Sequence, residues 1–160
     1  GEPLLHYPQL LGFLRDAKAL GYKIKLDTNG SLPEPLRDLI EAGVVDYLAM
    51  DIKAPLERYH EVVGRPVAVT DVQESVRRIR TSGIDYEFRT TVFSDLQDED
   101  FEQIGRWLAG SLRYCLQPAR LDLPLLDPQF ARLYQAPSRE DLVRLAALLH
   151  PYFDEIEVRS

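Results

Sequence analysis

Apolar and polar positions along this chain alternate between two periods. Leu10, Leu11, Leu14, Ala17 and Lys18 recur at helical spacing and predict a helix from about Tyr7 to Leu20, stopped by Gly21. Lys23-Ile24-Lys25-Leu26-Asp27 alternates at the short period of a strand. Thr28-Asn29-Gly30 reads as a turn. Pro33 to Ala42 reads as a helix with Pro in its first turn and Gly43 after its end. Val45 to Ile52 is a second strand, and Leu56 to Val63 a short helix ended by Gly64. Thr70-Asp71-Val72-Gln73 has the form of a capping box and predicts a helix to about Ser82, with Gly83 as the stop. Tyr86 to Val92 is a third strand. Asp98, Glu99 and Asp100 suit a helix N-terminus, and that helix reaches about Leu108. Tyr114 to Gln117 is a fourth strand, followed by a loop-rich stretch marked by Pro118, Pro124, Pro128 and Pro137. Ser138 caps a last helix to about Leu149, and Glu155 to Val158 is a final strand.

Strand and helix repeated in this way imply parallel strands joined by right-handed crossovers, an α/β fold. An open doubly wound sheet and a barrel, or part of one, both fit. Strands covered on both faces usually read as unbroken Val/Ile/Leu runs, and these do not. Ile24 and Leu26 oppose Lys25 and Asp27. Leu48, Met50 and Ile52 oppose Tyr47, Ala49, Asp51 and Lys53. Phe88, Thr90 and Val92 oppose Glu87, Arg89 and Thr91. Leu116 opposes Cys115 and Gln117, and Ile156 and Val158 oppose Glu157 and Arg159. Each strand thus has an apolar face for its helices and a second face with charged or polar groups. Such groups must pair with one another, meet water or meet a polar ligand. In α/β folds the ligand site lies at the carboxyl ends of the strands, where Asp27, Asp51, Lys53 and Gln117 sit.

The chain has 160 residues, the size of a single domain spanning 1–160. It is 45% hydrophobic and 28% charged, which excludes a disordered or collagen-like chain. No apolar run reaches the roughly 18 residues of a membrane span. A net charge of −7 argues against a nucleic-acid binder working through bulk phosphate attraction. The lone Cys115 excludes an intrachain disulfide and a multi-cysteine metal site within the chain, and fits a reducing, cytoplasmic compartment. His6, His60 and His150 share no metal-ligand spacing. Cys115 reads as a packed thiol and Trp107 as a core residue. The chain begins at Gly1 with neither Met nor signal peptide.

Taken singly, the remaining motifs have ordinary readings. Asn29-Gly30 is a turn dipeptide, and Asp51-Ile52-Lys53 and Glu87-Phe88-Arg89 are candidate internal ion pairs. As a set they are far more specific. Gly1-Glu2-Pro3-Leu4-Leu5, Leu26-Asp27-Thr28-Asn29-Gly30, Met50-Asp51-Ile52-Lys53-Ala54-Pro55 and Tyr86-Glu87-Phe88-Arg89-Thr90-Thr91-Val92, with Leu116-Gln117-Pro118, resemble the radical SAM superfamily. More narrowly they are similar to the activating enzymes of glycyl-radical proteins. The wording is most similar to the anaerobic ribonucleoside-triphosphate reductase activating proteins, with pyruvate formate-lyase activating enzyme a close second.

The resemblance implies a parallel sheet from a partial (β/α)6 barrel lacking its first strands. It implies S-adenosylmethionine as cofactor, bound to a [4Fe–4S] cluster held by a Cys-x₃-Cys-x₂-Cys loop in the parent protein. It implies a glycyl-radical enzyme as protein partner, with flavodoxin or ferredoxin as electron donor and neither nucleic acid nor membrane. Gly1, Glu2 and Pro3 match the end of a Gly-Gly-Glu-Pro motif that holds the methionine ammonium. Asp27 matches an acidic residue near the methionine end, with Asn29 in the same motif. Asp51 and Lys53 match a pair beside the methionine carboxylate, and Arg89 a strand arginine near the nucleoside. Gln117 completes the expected cofactor-binding set. An ammonium needs a carboxylate and a carboxylate a cation, and such charge-assisted bonds are the strong ones. The cluster loop, the first strand and most of the second are missing from this sequence. The expectation is therefore a carboxy-terminal fragment of an activase, inactive by itself. The alternative is a non-catalytic α/β module that binds a small molecule on the polar strand face.

Overall fold

The computed structural model describes residues 1–64, 66–121 and 130–159. A 3-10 turn at Pro3–His6 leads into α1 (Tyr7–Ala19), β1 (Lys25–Thr28), α2 (Pro33–Glu41) and β2 (Tyr47–Asp51). A second 3-10 turn, Leu56–Arg58, runs into α3 (Tyr59–Val63), then come α4 (Val69–Arg80), β3 (Asp85–Val92), α5 (Asp98–Leu108) and β4 (Ser111–Pro118). The chain finishes with α6 (Phe130–Leu133), α7 (Arg139–Leu149) and β5 (Phe153–Val158). The strands form a five-stranded sheet in the order β1-β2-β3-β4-β5. That order follows the sequence without reversal, as in (β/α) barrels. A doubly wound sheet would reverse at a switch point, so the choice left open by the hydrophobic pattern is settled.

The chain divides into two compact units, Gly1–Asp51 with Pro66–Glu87, and Ile52–Arg65 with Phe88–Ser160. In the first unit β1 pairs parallel with β2, Lys25 opposite Tyr47 and Thr28 opposite Met50. Asp46 starts this ladder. Its carboxylate accepts the Ile24 N–H at 2.8 Å and the Lys18 ammonium at 2.8 Å, while its own N–H donates to the Ile24 carbonyl at 2.9 Å. Leu36 and Leu39 of α2, Leu48 and Met50 of β2, and Val72, Val76 and Ile79 of α4 are buried together in this unit's core. Gly30, at φ +74°, turns the chain out of β1, and a Cβ there would strike the Met50 side chain. The Ser75 hydroxyl donates to the Gly30 carbonyl at 2.8 Å, fixing α4 to the turn.

In the second unit β4 pairs parallel with β3, Phe88 opposite Tyr114, and with β5, Ser111 opposite Phe153. Tyr114 and Phe153 stack with ring centroids 4.5 Å apart. Phe101, Ile104 and Leu108 of α5 and Leu142, Leu145 and Leu149 of α7 are the buried stripes that cover these strands. Both helices carry reciprocal caps. Asp100 accepts the Gln97 N–H at 2.9 Å, and the Ser138 hydroxyl accepts the Asp141 N–H at 3.1 Å.

Two expectations are corrected. Thr70 does not cap α4: the helix starts at Val69 with Ala68 as N-cap, so Thr70 already has helical geometry. Trp107 is half-buried, lining a surface cleft with Leu56 and Arg106, and is not core. In α1 only Leu14 is buried, while Phe13 is 68% exposed. The short helix α6 was not anticipated, and Pro124 and Pro128 lie outside the described residues.

The Lys18 ammonium, then the Ile24 N–H, hold the Asp46 carboxyl well below its ordinary 3.8. A depressed folded-state value stabilises the fold above the unfolded-state value and loses that contribution as pH falls. Thermal stability is expected to decline as pH drops below about 4. Melting curves of Asp46→Asn, lower than wild type at pH 7, should converge on it in acid; a gap independent of pH overturns this assignment.

Candidate functional site at the carboxyl ends of the strands

In the first unit the site is organised by Glu2. The N-terminal 3-10 turn places its side chain beside the end of β1. One carboxylate oxygen accepts the Leu4 N–H at 3.2 Å and the Thr28 hydroxyl at 3.0 Å, and the other accepts the Asn29 N–H at 2.7 Å. Thr28 passes the connection on, because its Oγ1 accepts the Gly30 N–H at 3.1 Å. Asn29 Oδ1 accepts the Ser31 N–H at 2.9 Å, closing an Asx turn. The turn reading of Thr28-Asn29-Gly30 and a site reading therefore hold together. A carboxylate offers about four acceptor positions. With three filled by the chain, the oxygen facing Asn29 keeps one open.

The other candidates of this unit lie where the pattern put them. Asp27 is exposed in β1, between buried Leu26 and buried Thr28. Asp51 closes β2 and is half-buried. Gly1 is exposed, and Pro3 opens the 3-10 turn. Thr28 was missed as a site residue; a hydroxyl between Asp27 and Asn29 at a strand end was the available signal.

In the second unit Lys53 follows β2 by two residues, half-buried, with its N–H directed at the Tyr59 hydroxyl at 3.3 Å. Arg89, half-buried, lies opposite Cys115 in the β3–β4 ladder. Gln117, near the end of β4, donates to the Thr91 hydroxyl at 3.1 Å. The structure thus brings Glu2 and Asn29 together in one unit; in the other it sets Arg89 and Gln117 on the neighbouring strands β3 and β4, and Lys53 in the segment after β2.

At the amino ends of the strands the polar face is differently used. Glu87, 1% exposed, accepts from Lys25 at 3.2 Å and from the Tyr47 hydroxyl at 3.2 Å, and the Lys25 ammonium stands 5.4 Å from the Tyr47 ring centre. This is an internal ion pair, and Glu87, Lys25 and Tyr47 all belong to the first unit.

A parallel sheet in sequential order, with carboxylates and cations at its strand ends, defines a (β/α)-barrel-type protein. Residues 1–108 match the family described as the Radical SAM superfamily, and the chain belongs to it. A Methanocaldococcus jannaschii protein with the provisional name glycyl-radical enzyme activating enzyme is 28% identical over all of this chain and 68% of its own length. The 7-carboxy-7-deazaguanine synthase of Thermococcus kodakarensis is 27% identical over 96% of this chain. The chain spans 60% of that synthase. Among solved structures, a domain of a pyruvate-formate lyase-activating enzyme from Bacteroides vulgatus matches all of this chain and 95% of its own, with a TM-score of 0.77 at 18% identity. That likeness shows the fold.

The family implies S-adenosylmethionine and a [4Fe–4S] cluster. The residues present do not fit the cluster. Cys115 is the single cysteine, buried on β4, and among the described residues no group of His, Cys, Asp and Glu could hold a metal. The carboxylates Glu2, Asp27 and Asp51 of the first unit have the chemistry an ammonium needs, and the cations Lys53 and Arg89 of the second unit the chemistry a carboxylate needs. No helix among the described residues is long and apolar enough to cross a membrane.

Glu2→Gln replaces one acceptor oxygen by a donor nitrogen. Urea unfolding is expected to show a loss of about 1–2 kcal/mol, with faster hydrogen exchange at the Asn29 amide. Unchanged exchange at Asn29 would contradict the anchoring role.

Proposed function

We propose that these residues serve a radical SAM activating enzyme, one that raises a glycyl radical on a partner protein of the anaerobic ribonucleotide reductase or pyruvate formate-lyase type. The observation that carries this reading is the Glu2 carboxylate anchored at the end of β1 in the first unit. The name of the Methanocaldococcus relative supports the activating role. In this reading Glu2, Asp27 and Asp51 take the ligand's ammonium, with Gly1, Pro3 and Asn29 shaping the backbone around it. Lys53 takes the carboxylate, and Arg89 and Gln117 the nucleoside. If bound, S-adenosylmethionine would supply the radical chemistry by which such an activating enzyme takes a hydrogen atom from its partner's glycine. The cluster's thiolates and the electron, from a flavodoxin or ferredoxin, come from outside these residues. The chain's own work is to bind and orient the amino-acid end and to neutralise its two charges.

Near-equal identity to the deazaguanine synthase supports a second reading, in which the same residues serve a synthase of that kind.

Calorimetric titration of the chain is expected to show S-adenosylmethionine binding more tightly than 5′-methylthioadenosine, which lacks the amino-acid end. Lys53→Met should weaken the former by about tenfold or more and leave the latter unchanged, since a charge-assisted bond is worth about 1.5–3 kcal/mol. Equal loss for both ligands overturns the role of Lys53. Holoenzyme containing these residues should raise a glycyl-radical electron-spin resonance signal on its partner. Turnover without that signal favours the synthase.

Reconstituted anaerobically with iron and sulfide, the 160 residues alone are expected to hold no four-iron cluster and to cleave no S-adenosylmethionine. A stoichiometric cluster would refute this.

A further inference from the structure

Beyond the end of β2 the backbone that carries Lys53 is held by side chains. The Ile52 N–H donates to the Arg89 carbonyl at 2.7 Å. The Ile52 carbonyl accepts the Thr90 hydroxyl at 2.8 Å, and the Lys53 N–H donates to the Tyr59 hydroxyl at 3.3 Å. Thr90 Oγ1 also meets the Tyr114 hydroxyl at 2.5 Å. A hydroxyl carries one proton. Thr90 gives its proton to Ile52, so Tyr114 must donate to Thr90. The result is a directed chain, Tyr114 to Thr90 to the Ile52 carbonyl.

The chain is dry and rigid. Ile52, Thr90 and Tyr114 are completely buried, and Tyr59 is 2% exposed. Tyr114 is stacked on Phe153 of β5, which fixes its ring. Burial pushes the Tyr114 phenol far up, so it stays a neutral donor. Thr90 shares its strand face with Phe88 and Val92, both buried, where packing alone would accept Val. The hydroxyl is what distinguishes this position.

We propose that Thr90, Tyr114 and Tyr59 are positioning residues that clamp the Ile52–Lys53 backbone and thereby fix the direction from which the Lys53 ammonium meets a ligand carboxylate. This rests on the reading of Lys53 given above. A lysine side chain is long and flexible, so its aim depends on the root from which it grows. Small errors in such a root are expensive in binding and catalysis. The device also places a hydroxyl donor on a strand-end carbonyl, without lengthening β2 past the residue that must face the ligand.

The test is calorimetry of the chain with S-adenosylmethionine and with 5′-methylthioadenosine, together with amide hydrogen exchange at Ile52 and Lys53. Thr90→Val is expected to lose about tenfold in affinity for S-adenosylmethionine. It should keep its affinity for 5′-methylthioadenosine and speed exchange at Lys53; Thr90→Ser should restore the S-adenosylmethionine affinity and the slow exchange. Tyr59→Phe removes the acceptor of the Lys53 N–H and should show the same selective loss, which keeps the test valid if Thr90→Val does not fold. Unchanged affinity and exchange in both variants overturn the positioning role, as does equal loss for the two ligands. A wild-type chain that binds S-adenosylmethionine no more tightly than 5′-methylthioadenosine overturns the Lys53 reading first and the clamp with it. A wild-type preference that both variants retain overturns the clamp alone.

Discussion

A strand in a parallel sheet ends with backbone donors and acceptors that its neighbours no longer reach, and buried groups of that kind must find other partners. This chain satisfies two such ends with side chains. After β1 the partner is a carboxylate, Glu2, brought back by the N-terminal 3-10 turn to take the Asn29 N–H. After β2 the partners are hydroxyls, Thr90 on the Ile52 carbonyl and Tyr59 on the Lys53 N–H. In both places the residues with ligand chemistry stand next to the tie. Under the proposed function, satisfying the backbone and aiming the functional groups are one structural task, which is why losing a single buried acceptor or donor should be felt as a change in affinity.

The alternation of charge on the strands admits two explanations, internal pairing and ligand binding, and the structure shows the first near the amino ends of the strands. Near the amino ends Glu87, Lys25 and Tyr47 satisfy one another. A nearly fully buried carboxylate needs that arrangement, because an unpaired charge there would be costly. Near the carboxyl ends the acidic and basic candidates lie apart in sequence, on successive strands and the turns that follow them. Under the proposed function, a single alternating pattern thus encodes a structural layer and a functional one. Pattern alone cannot divide them, since period two records which face a residue occupies and nothing of its height along the strand.

How far the sequence revealed the structure follows from the range of the forces involved. Elements set by local chemistry were plain: the helices stopped by Gly43 and Gly64, the acidic first turn of α5, and the Ser138 cap of α7 each depend on neighbours within a turn. Thr70 shows the limit, because a capping-box pattern was overridden when the helix began at Val69. Trp107 shows another, since helical spacing says which residues share a face but not whether anything covers it. The site set, Glu2, Asp27, Asp51, Lys53, Arg89 and Gln117, was visible only as a constellation of motifs. Its supporting hydroxyls were not seen. Thr28, Thr90 and Tyr114 form bonds to residues as much as 38 positions away, and nothing local marks them.

One signal for the missed hydroxyls was nevertheless present. Thr90 occupies the apolar face of β3 between Phe88 and Val92. A polar side chain in such a place is desolvated, and desolvating a hydroxyl without a partner costs about 1–3 kcal/mol. A fold that keeps Thr there must therefore supply an acceptor, and on a central strand the nearest acceptors are the carbonyls of neighbouring strands. The same reasoning applies to Ser75, the buried hydroxyl of α4, whose acceptor is the Gly30 carbonyl at 2.8 Å. In both cases the hydroxyl ends on backbone at the exit of a strand, immediately beside a motif with ligand chemistry. Buried hydroxyls on otherwise apolar faces are thus pointers to the backbone positions a parallel fold needs to hold still. In this chain those positions are the ones that carry Asn29 and Lys53.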